Sequence, residues 1–198
     1  MIHILYLAAG SGRRFGSNKL LYPLGGRPLF SHGLDTLSAV AGERGDCTLT
    51  VVSRYPEILE AARSMGALAV DSPHSERGLS HTIRAGLTSL PTPAPSDFLL
   101  FMAADQPWVK ETTVSCLLDA ARTGLWAACA GFGKERGNPV LFSAALLPDL
   151  LALRGDEGGR SILRRHPERV VLVPVTEERE LWDIDRLSDV TERGNPYE

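Results

Sequence analysis

Short apolar runs and segments of helical spacing alternate along the chain, and this alternation most limits the folds open to it. The apolar runs predict strands at Ile2–Ala8, Thr48–Ser53, Ala67–Val70, Phe98–Ala103, Trp126–Phe132, Pro139–Phe142 and Arg169–Val175. The segments between them predict helices at Pro28–Val40, Glu57–Met65, Leu79–Leu90, Thr112–Thr123, Ala144–Leu153 and Gly159–Arg165. Strands and helices in turn indicate an α/β fold with a mostly parallel sheet, covered by helices on both faces.

The bulk properties of the chain favour one globular domain in a reducing compartment. The 198 residues suit a single domain over residues 1–198, with a frayed tail over 191–198. A net charge of −3 gives no general attraction to nucleic acid or to an acidic membrane, and no apolar run is long enough to cross one. Cys47, Cys116 and Cys129 are far apart and match no metal spacing, which favours a cytoplasmic protein.

A loop rich in glycine and cations follows the first predicted strand. Gly10, Gly12 and Gly16 are spaced one residue too far apart for the dinucleotide fingerprint, and the Gly-Lys-Ser/Thr end of a P-loop is missing. Glycine N–H groups can approach an anion closely, while Arg14 and Lys19 supply positive charge. Cations aimed at a leaving pyrophosphate would promote cleavage of a triphosphate. The loop therefore indicates a bound triphosphate; the alternative is a tight turn with solvated basic residues.

Aspartates occur at two places where they could hold a metal. Asp105 comes just after the most apolar strand, at the edge where open α/β sheets bind ligands, and Mg²⁺ would compensate its charge. Asp183 and Asp185 lie two residues apart, so in a strand they would share a face and could reach the same metal. Alternatively, Asp105 is a turn or capping residue, and Asp185 caps a final helix that begins at Arg186.

Six motifs, in order along the chain, resemble those of the molybdenum cofactor cytidylyltransferase family of nucleotidyltransferases. They are LAAGSGRRFGSNKLL, GLSHTIRAGL, MAADQPWV, GNPVLF, GDEGGR and WDIDRLSDV. The resemblance covers nearly the whole chain. It implies a three-layer α/β/α sandwich around a Rossmann-like, mostly parallel mixed sheet with one reversed strand, as in nucleotide-diphospho-sugar transferases.

The resemblance also implies roles for individual residues. The nucleotide would lie along Leu7, Ala8, Ala9, Gly10, Gly12, Gly78, Leu79, Ser80 and Thr82. Arg14 and Lys19 would hold the triphosphate and act in catalysis with Asp105. Asp105 and Asp185 would bind Mg²⁺. The second substrate would face Asn138, in the motif GNPVLF, and the stretch Asp156–Arg160, with Asp156 and Arg160 at its two ends.

The reaction expected from this resemblance is transfer of CMP from CTP to the terminal phosphate of molybdopterin, with release of pyrophosphate. Ala9 resembles the cytidine-using branch of the family, whereas a glycine at that place marks the guanosine-using branch. Three alternatives remain: a guanylyltransferase acting on the same cofactor, a cytidylyltransferase acting on a sugar or polyol phosphate, and a carrier protein without catalysis. If the reaction is transfer of CMP to molybdopterin, a molybdenum hydroxylase is an expected partner.

Overall fold

The structure, a computed structural model, describes residues 1–10, 15 and 18–192, without the side chains of 191 and 192. The predictions for Gly12, Arg14 and the tail beyond residue 192 lie outside these residues. No helix in the described ranges is long and apolar enough to span a membrane.

Strands and helices alternate as the sequence predicts. The strands of the described residues are β1 (Ile2–Leu7), β2 (Pro23–Leu24), β3 (Arg27–Pro28), β4 (Cys47–Ser53), β5 (Leu68–Asp71), β6 (Phe98–Ala103), β7 (Ala127–Phe132), β8 (Glu135–Ser143) and β9 (Val170–Pro174). The α-helices are α1 (Leu29–Gly42), α2 (Pro56–Ser64), α3 (Leu79–Ser89), α4 (Glu111–Asp119), α5 (Leu147–Leu151), α6 (Gly159–Arg165) and α7 (Leu187–Glu192).

Seven of these strands form one sheet in the order β5-β4-β1-β6-β8-β7-β9, and β2 pairs with β3 separately. β8 runs antiparallel to both of its neighbours, and the other pairings in the large sheet are parallel. The expected mixed sheet with one reversed strand is therefore confirmed.

Two predicted elements differ from the structure for local reasons. β8 begins at Glu135, not Pro139, because Gly133 adopts a φ of 58° and turns the chain back after β7. The backbone of the charged start of β8 pairs with β7, which a search for apolar runs does not detect. The helix predicted over Ala144–Leu153 is a 3₁₀ turn followed by the short α5, which has a proline in its first turn.

Helices cover both faces of the sheet. Ile4 and Tyr6 of β1 point to the face that carries α1, α2 and α4, and they belong to one buried cluster. Leu5 points to the opposite face and packs in a second cluster with Ile83 of α3 and Ile162 of α6. This alternation is the period-two pattern of a strand buried on both sides, and it produces the three layers.

The order of the strands creates a crevice beside β1. The chain moves from β1 to β4 and β5 on one side, and then returns to place β6 on the other side. Leu7, at the end of β1, pairs with Ala103, at the end of β6. In open α/β sheets, ligands bind outside the carboxyl ends of the strands at such a reversal.

Packing between α1 and β1 gives a first testable prediction. A Cβ on Gly33 would lie 2.6 Å from the Tyr6 hydroxyl, which is buried and donates a hydrogen bond to the Phe30 carbonyl at 2.7 Å. Gly33→Ala should therefore lower the free energy of unfolding by about 1–3 kcal/mol, measured by urea denaturation. Gly42→Ala, at the end of the same helix with open space around it, is the control and should cost nothing. Equal effects would contradict this account.

Candidate active site

A cavity of about 640 Å³ opens at the carboxyl ends of β1 and β6. Its walls come from the start of the glycine loop, the 3₁₀ turn Lys19–Leu21, the start of α3 and the turn after β6. The lining residues are Leu7, Ala9, Gly10, Lys19, Leu20, Ser75, Glu76, Arg77, Gly78, Leu79, Thr82, Ala103, Ala104, Asp105 and Asp156. Most residues predicted to hold the nucleotide, where described, therefore share one cavity.

The end of β4 holds the first part of the glycine loop in place. The Ala8 amide donates to the Val52 carbonyl at 2.8 Å, and the Ser53 hydroxyl donates to the Ala8 carbonyl at 2.7 Å. The Tyr55 hydroxyl donates to the Gly10 carbonyl at 2.9 Å. Ala8 itself is fully buried and lies behind the cavity wall, so it supports the wall and does not line the cavity.

Lys19 is the buried cation of the site. The Asn18 side chain accepts a hydrogen bond from the Leu20 amide at 3.1 Å and so caps the short 3₁₀ turn that carries Lys19. The Lys19 Nζ lies 2.8 Å from Asp105 Oδ2 and 2.8 Å from Asp185 Oδ1. Burial opposes the charge, but the two carboxylates outweigh it and raise the pKa of Lys19. The ammonium group therefore stays charged at neutral pH.

Backbone hydrogen bonds bring the two aspartates together from distant parts of the chain. Asp105 lies in the turn after β6, where the Ala104 amide donates to the Leu7 carbonyl at 3.1 Å. The Asp105 carbonyl accepts from the Ile184 amide at 2.9 Å, and Ile184 is buried. These contacts fix the position of Asp185, the next residue, beside Lys19.

The segment around Asp185 differs from two of the expectations. Residues 182–185 lie outside the sheet, so the shared strand face predicted for Asp183 and Asp185 is wrong. Loss of hydration, with the charges of Asp105 and Asp185, nevertheless raises the pKa of Asp183 and places it in the same electrostatic neighbourhood. Asp189, not Asp185, accepts from the amides before α7, those of Asp185 and Arg186. The capping alternative for Asp185 is therefore wrong.

A buried glutamate that the sequence reasoning missed anchors the segment leading to Asp185. Glu180 is 1% exposed, and its carboxylate accepts hydrogen bonds from the amides of Lys110, Thr176 and Glu177 and the hydroxyls of Thr113 and Thr176. Gln106 adds a hydrogen bond from its Nε2 to the Leu181 carbonyl at 3.2 Å. A glutamate inside a run of charged residues looks like part of a solvated loop, so its burial was not visible in the sequence.

The loop before α3 closes the opposite wall of the cavity. Gly78 has a φ of 123°, and a Cβ there would lie 2.3 Å from the Gly155 carbonyl oxygen. The same carbonyl accepts from the Ser80 amide at 3.0 Å. Ser80 is 1% exposed and lies behind this wall, whereas Leu79 and Thr82 line the cavity. The motif that contains Gly155 thus packs directly on the loop predicted to hold the base, and its Asp156 lines the same cavity.

Two serine hydroxyls beside this loop are buried. The buried Oγ atoms of Ser75 and Ser80 have no hydrogen-bond partner within the described part of the chain. Sequence reasoning overlooked Ser75, Glu76 and Arg77, which line the cavity. Their position directly before a glycine at a helix start was the available signal.

The three residues predicted to face the second substrate do not share a cavity. Asp156 lines the large one, whereas Asn138 lines an apolar cavity of about 60 Å³ together with Leu7 and Leu79. Arg160, at the start of α6, lines a third cavity on the same side of the sheet. The cavities of Asp156 and Asn138 adjoin each other, since Leu7 and Leu79 line both.

The side chains of the site can be compared with the expectation that Asp105 and Asp185 bind Mg²⁺. Among the residues described, no three His, Cys, Asp or Glu side chains form a metal-binding group. Asp105 and Asp185 provide two carboxylates that share one cation, Lys19. Mg²⁺ in phosphate-transferring sites is commonly held by one or two carboxylates, with substrate phosphates and water as further ligands. The donor set therefore fits an ion that arrives with a triphosphate.

The mixed α/β/α fold, with these charged residues at the carboxyl edge of the sheet, places the chain among the nucleotidyltransferases. Residues 4–170 match the MobA-like NTP transferase domain, and the chain belongs to that family. Asp185 and Glu180 lie beyond the matched residues, and tertiary contacts connect both to the site.

Three known proteins illustrate these similarities. The bifunctional protein GlmU of Burkholderia orbicola is 34% identical over 125 residues, which are 62% of this chain and 26% of GlmU. The chain thus spans about a quarter of the length of that relative. Rv0371c of Mycobacterium tuberculosis, solved in complex with manganese, superimposes with a TM-score of 0.70 at 22% identity, covering 97% of this chain and 96% of that one. Molybdopterin-guanine dinucleotide biosynthesis protein A of Archaeoglobus fulgidus gives 0.69 at 20% identity, with coverage of 97% and 96%.

The buried Glu180 gives a second prediction. Glu180→Ala removes the acceptor of several buried donors, so the free energy of unfolding should fall by about 3 kcal/mol. Glu178→Ala, in the same 3₁₀ turn but exposed, should change it by less than about 0.5 kcal/mol. Chemical denaturation of both variants measures the difference. Indistinguishable stabilities would show that Glu180 does not anchor the segment.

Proposed function

We propose that the protein is a Mg²⁺-dependent cytidylyltransferase that transfers CMP from CTP to the terminal phosphate of molybdopterin and releases pyrophosphate. The observation that carries this proposal is the contact of Lys19 with both Asp105 and Asp185 at the wall of the large cavity. A buried cation and two carboxylates at this edge suit phosphoryl chemistry, in which catalysis comes mainly from positioning and electrostatic stabilisation.

The charge of the cavity favours a divalent cation as a requirement for activity. Among the described lining residues, Glu76, Asp105 and Asp156 are acidic, and Lys19 and Arg77 are basic. Asp185 adds a further negative charge beside Lys19. A triphosphate would meet this excess of negative charge, so Asp105 and Asp185 would hold Mg²⁺ together with it. The bound ion would neutralise the charge that develops during transfer and align the reacting groups.

The proposed reaction gives tasks to the cations and to the residues of the cavity wall. Lys19, held charged by its carboxylate partners, stabilises the negative charge of the leaving pyrophosphate. Arg14, outside the described residues, is proposed for the same task. Ala9, Gly10, Gly78, Leu79 and Thr82 enclose the nucleotide, and Ser75 lines the same cavity. The acceptor phosphate is ionised near neutral pH, so the attack needs no general base.

The choice of molybdopterin rests on the six motifs and on the molybdopterin protein among the structural neighbours. Ala9 carries the choice of CTP over GTP, and a sugar or polyol phosphate is the alternative acceptor. We place the reaction in the cytoplasm, where the free thiols of Cys47, Cys116 and Cys129 would stay reduced, with a molybdenum hydroxylase receiving the product.

A pyrophosphate-release assay tests the proposal. The purified protein is incubated with Mg²⁺, each of the four nucleoside triphosphates, and molybdopterin, a sugar phosphate or a polyol phosphate. Release with CTP and molybdopterin supports the proposal. Release with another pair reassigns the substrates, and binding of molybdopterin without release from any nucleotide identifies a carrier.

Removal of the central charges gives a third prediction. Asp105→Asn and Lys19→Met should each lower kcat at least about a hundredfold, because charge stabilisation in the transition state is lost. Asp35→Asn, which breaks an exposed ion pair with Arg27, is the matched control and should retain wild-type activity. Circular dichroism confirms that the variants are folded. Wild-type turnover of Asp105→Asn with Mg²⁺ present would refute its role.

The residue at position 9 gives a fourth prediction. Ala9 is 3% exposed and lines the cavity, so removal of its methyl group enlarges the space beside the nucleotide. Ala9→Gly should lower the ratio of kcat/KM for CTP to that for GTP, measured by competition between the two nucleotides. An unchanged ratio would remove the argument for cytidine.

A further inference from the structure

A separate cavity of about 340 Å³ lies between the start of β8 and helix α6. Its lining residues are Lys134, Arg136, Arg160, Leu163, Arg164 and Pro167. Four of the six are cationic and none is acidic, although the chain as a whole carries a net charge of −3. We call this the basic cavity.

The four cations of the basic cavity form no salt bridge with a carboxylate in the described part of the chain. Within the described residues, no carboxylate lies within ion-pair distance of Lys134, Arg136, Arg160 or Arg164, whereas Arg165 on the same helix pairs with Asp149 at 3.7 Å. The Arg136 Nη2 donates to the Pro167 carbonyl at 3.0 Å, which holds this guanidinium group at the cavity wall. Four cations around one concave space repel each other, and an anion between them would relieve that repulsion.

The basic cavity is adjacent to the acceptor side of the proposed active site. Arg136 precedes Asn138 on β8 by two residues, and Asn138 borders Leu7 and Leu79 at the edge of the large cavity. Arg160, near the start of α6, lines the basic cavity. Its positive charge acts to lower the pKa of Asp183 and, together with that of Arg136, acts to lower the pKa of the buried Cys129. A ligand extending from the reacting phosphate over Asn138 would therefore bring its far end to these arginines.

We propose that the basic cavity binds an oxyanion group of the acceptor substrate, remote from the phosphate that attacks the nucleotide. This inference rests on the proposed function, and it adds that the acceptor has a second anionic group. Arginine guanidinium groups match oxyanions with paired N–H donors, and two or more of them around one group provide geometric selectivity as well as charge. Acceptors with no anionic group besides the attacking phosphate would leave the cavity unused and should bind more weakly.

The test uses the full-length protein and the double variant Arg136→Gln/Arg164→Gln, both positions being exposed so that the fold should tolerate the changes. The KM for the acceptor should rise by at least about tenfold, because two charge-assisted contacts are lost. The kcat and the KM for the nucleotide should stay unchanged, since neither residue lines the large cavity. Arg165→Gln, which breaks the neighbouring ion pair with Asp149, is the control and should leave all three values unchanged.

A second measurement does not depend on activity. In a ¹⁵N-labelled sample titrated with inorganic phosphate, the Nε–Hε signals of Arg136 and Arg164 should shift with saturation, and that of Arg165 should not. Equal movement of all three signals, or an unchanged acceptor KM in the double variant, would overturn the proposal. If the arginine signals saturate while wild-type protein releases no pyrophosphate with any acceptor, the proposed function fails and the cavity is an anion site of another kind.

Discussion

The contact of one ammonium group with two carboxylates organises the functional end of this molecule. Lys19 follows the glycine loop, Asp105 follows β6, and Asp185 comes from the C-terminal segment, yet both distances from the Lys19 Nζ are 2.8 Å. Without the cation, the partly buried carboxylate of Asp105 and the more exposed carboxylate of Asp185 would repel each other and separate these segments. Conversely, burial would disfavour the charged lysine if the carboxylates were absent. The three groups therefore stabilise each other.

The rest of the fold supplies the supports for this contact. The strand order places the ends of β1 and β6 side by side and leaves a crevice above them. Ser53 and Tyr55, at the end of β4, fix the backbone of the glycine loop from one side. Glu180 fixes the C-terminal segment from the other, through hydrogen bonds to the region before and inside α4. The site thus lies where the ends of β1 and β6, the glycine loop and the C-terminal segment meet.

The predictions that succeeded and failed differ in the range of the interactions involved. Apolar periodicity located the strands and helices because burial on both faces leaves a local signature in β1 and β6. It missed the start of β8, where backbone pairing with β7 includes charged residues. It also left open a strand at Asp183 and Asp185, because alternation is equally compatible with an extended segment outside the sheet. Glu180 was overlooked because its burial depends on contacts with Lys110 and Thr113, far away in the chain.

The sequence by itself determined the α/β class, the glycine loop with its cations, and the presence of carboxylates at the ends of two segments. These are local properties, set by the residue types and their spacing. The tertiary structure decided which carboxylates meet Lys19, that Asn138, Asp156 and Arg160 line separate cavities, and that four cations enclose the basic cavity. The physical reason is that charges act through space, and only the packing of helices and strands sets the distances between side chains remote in sequence.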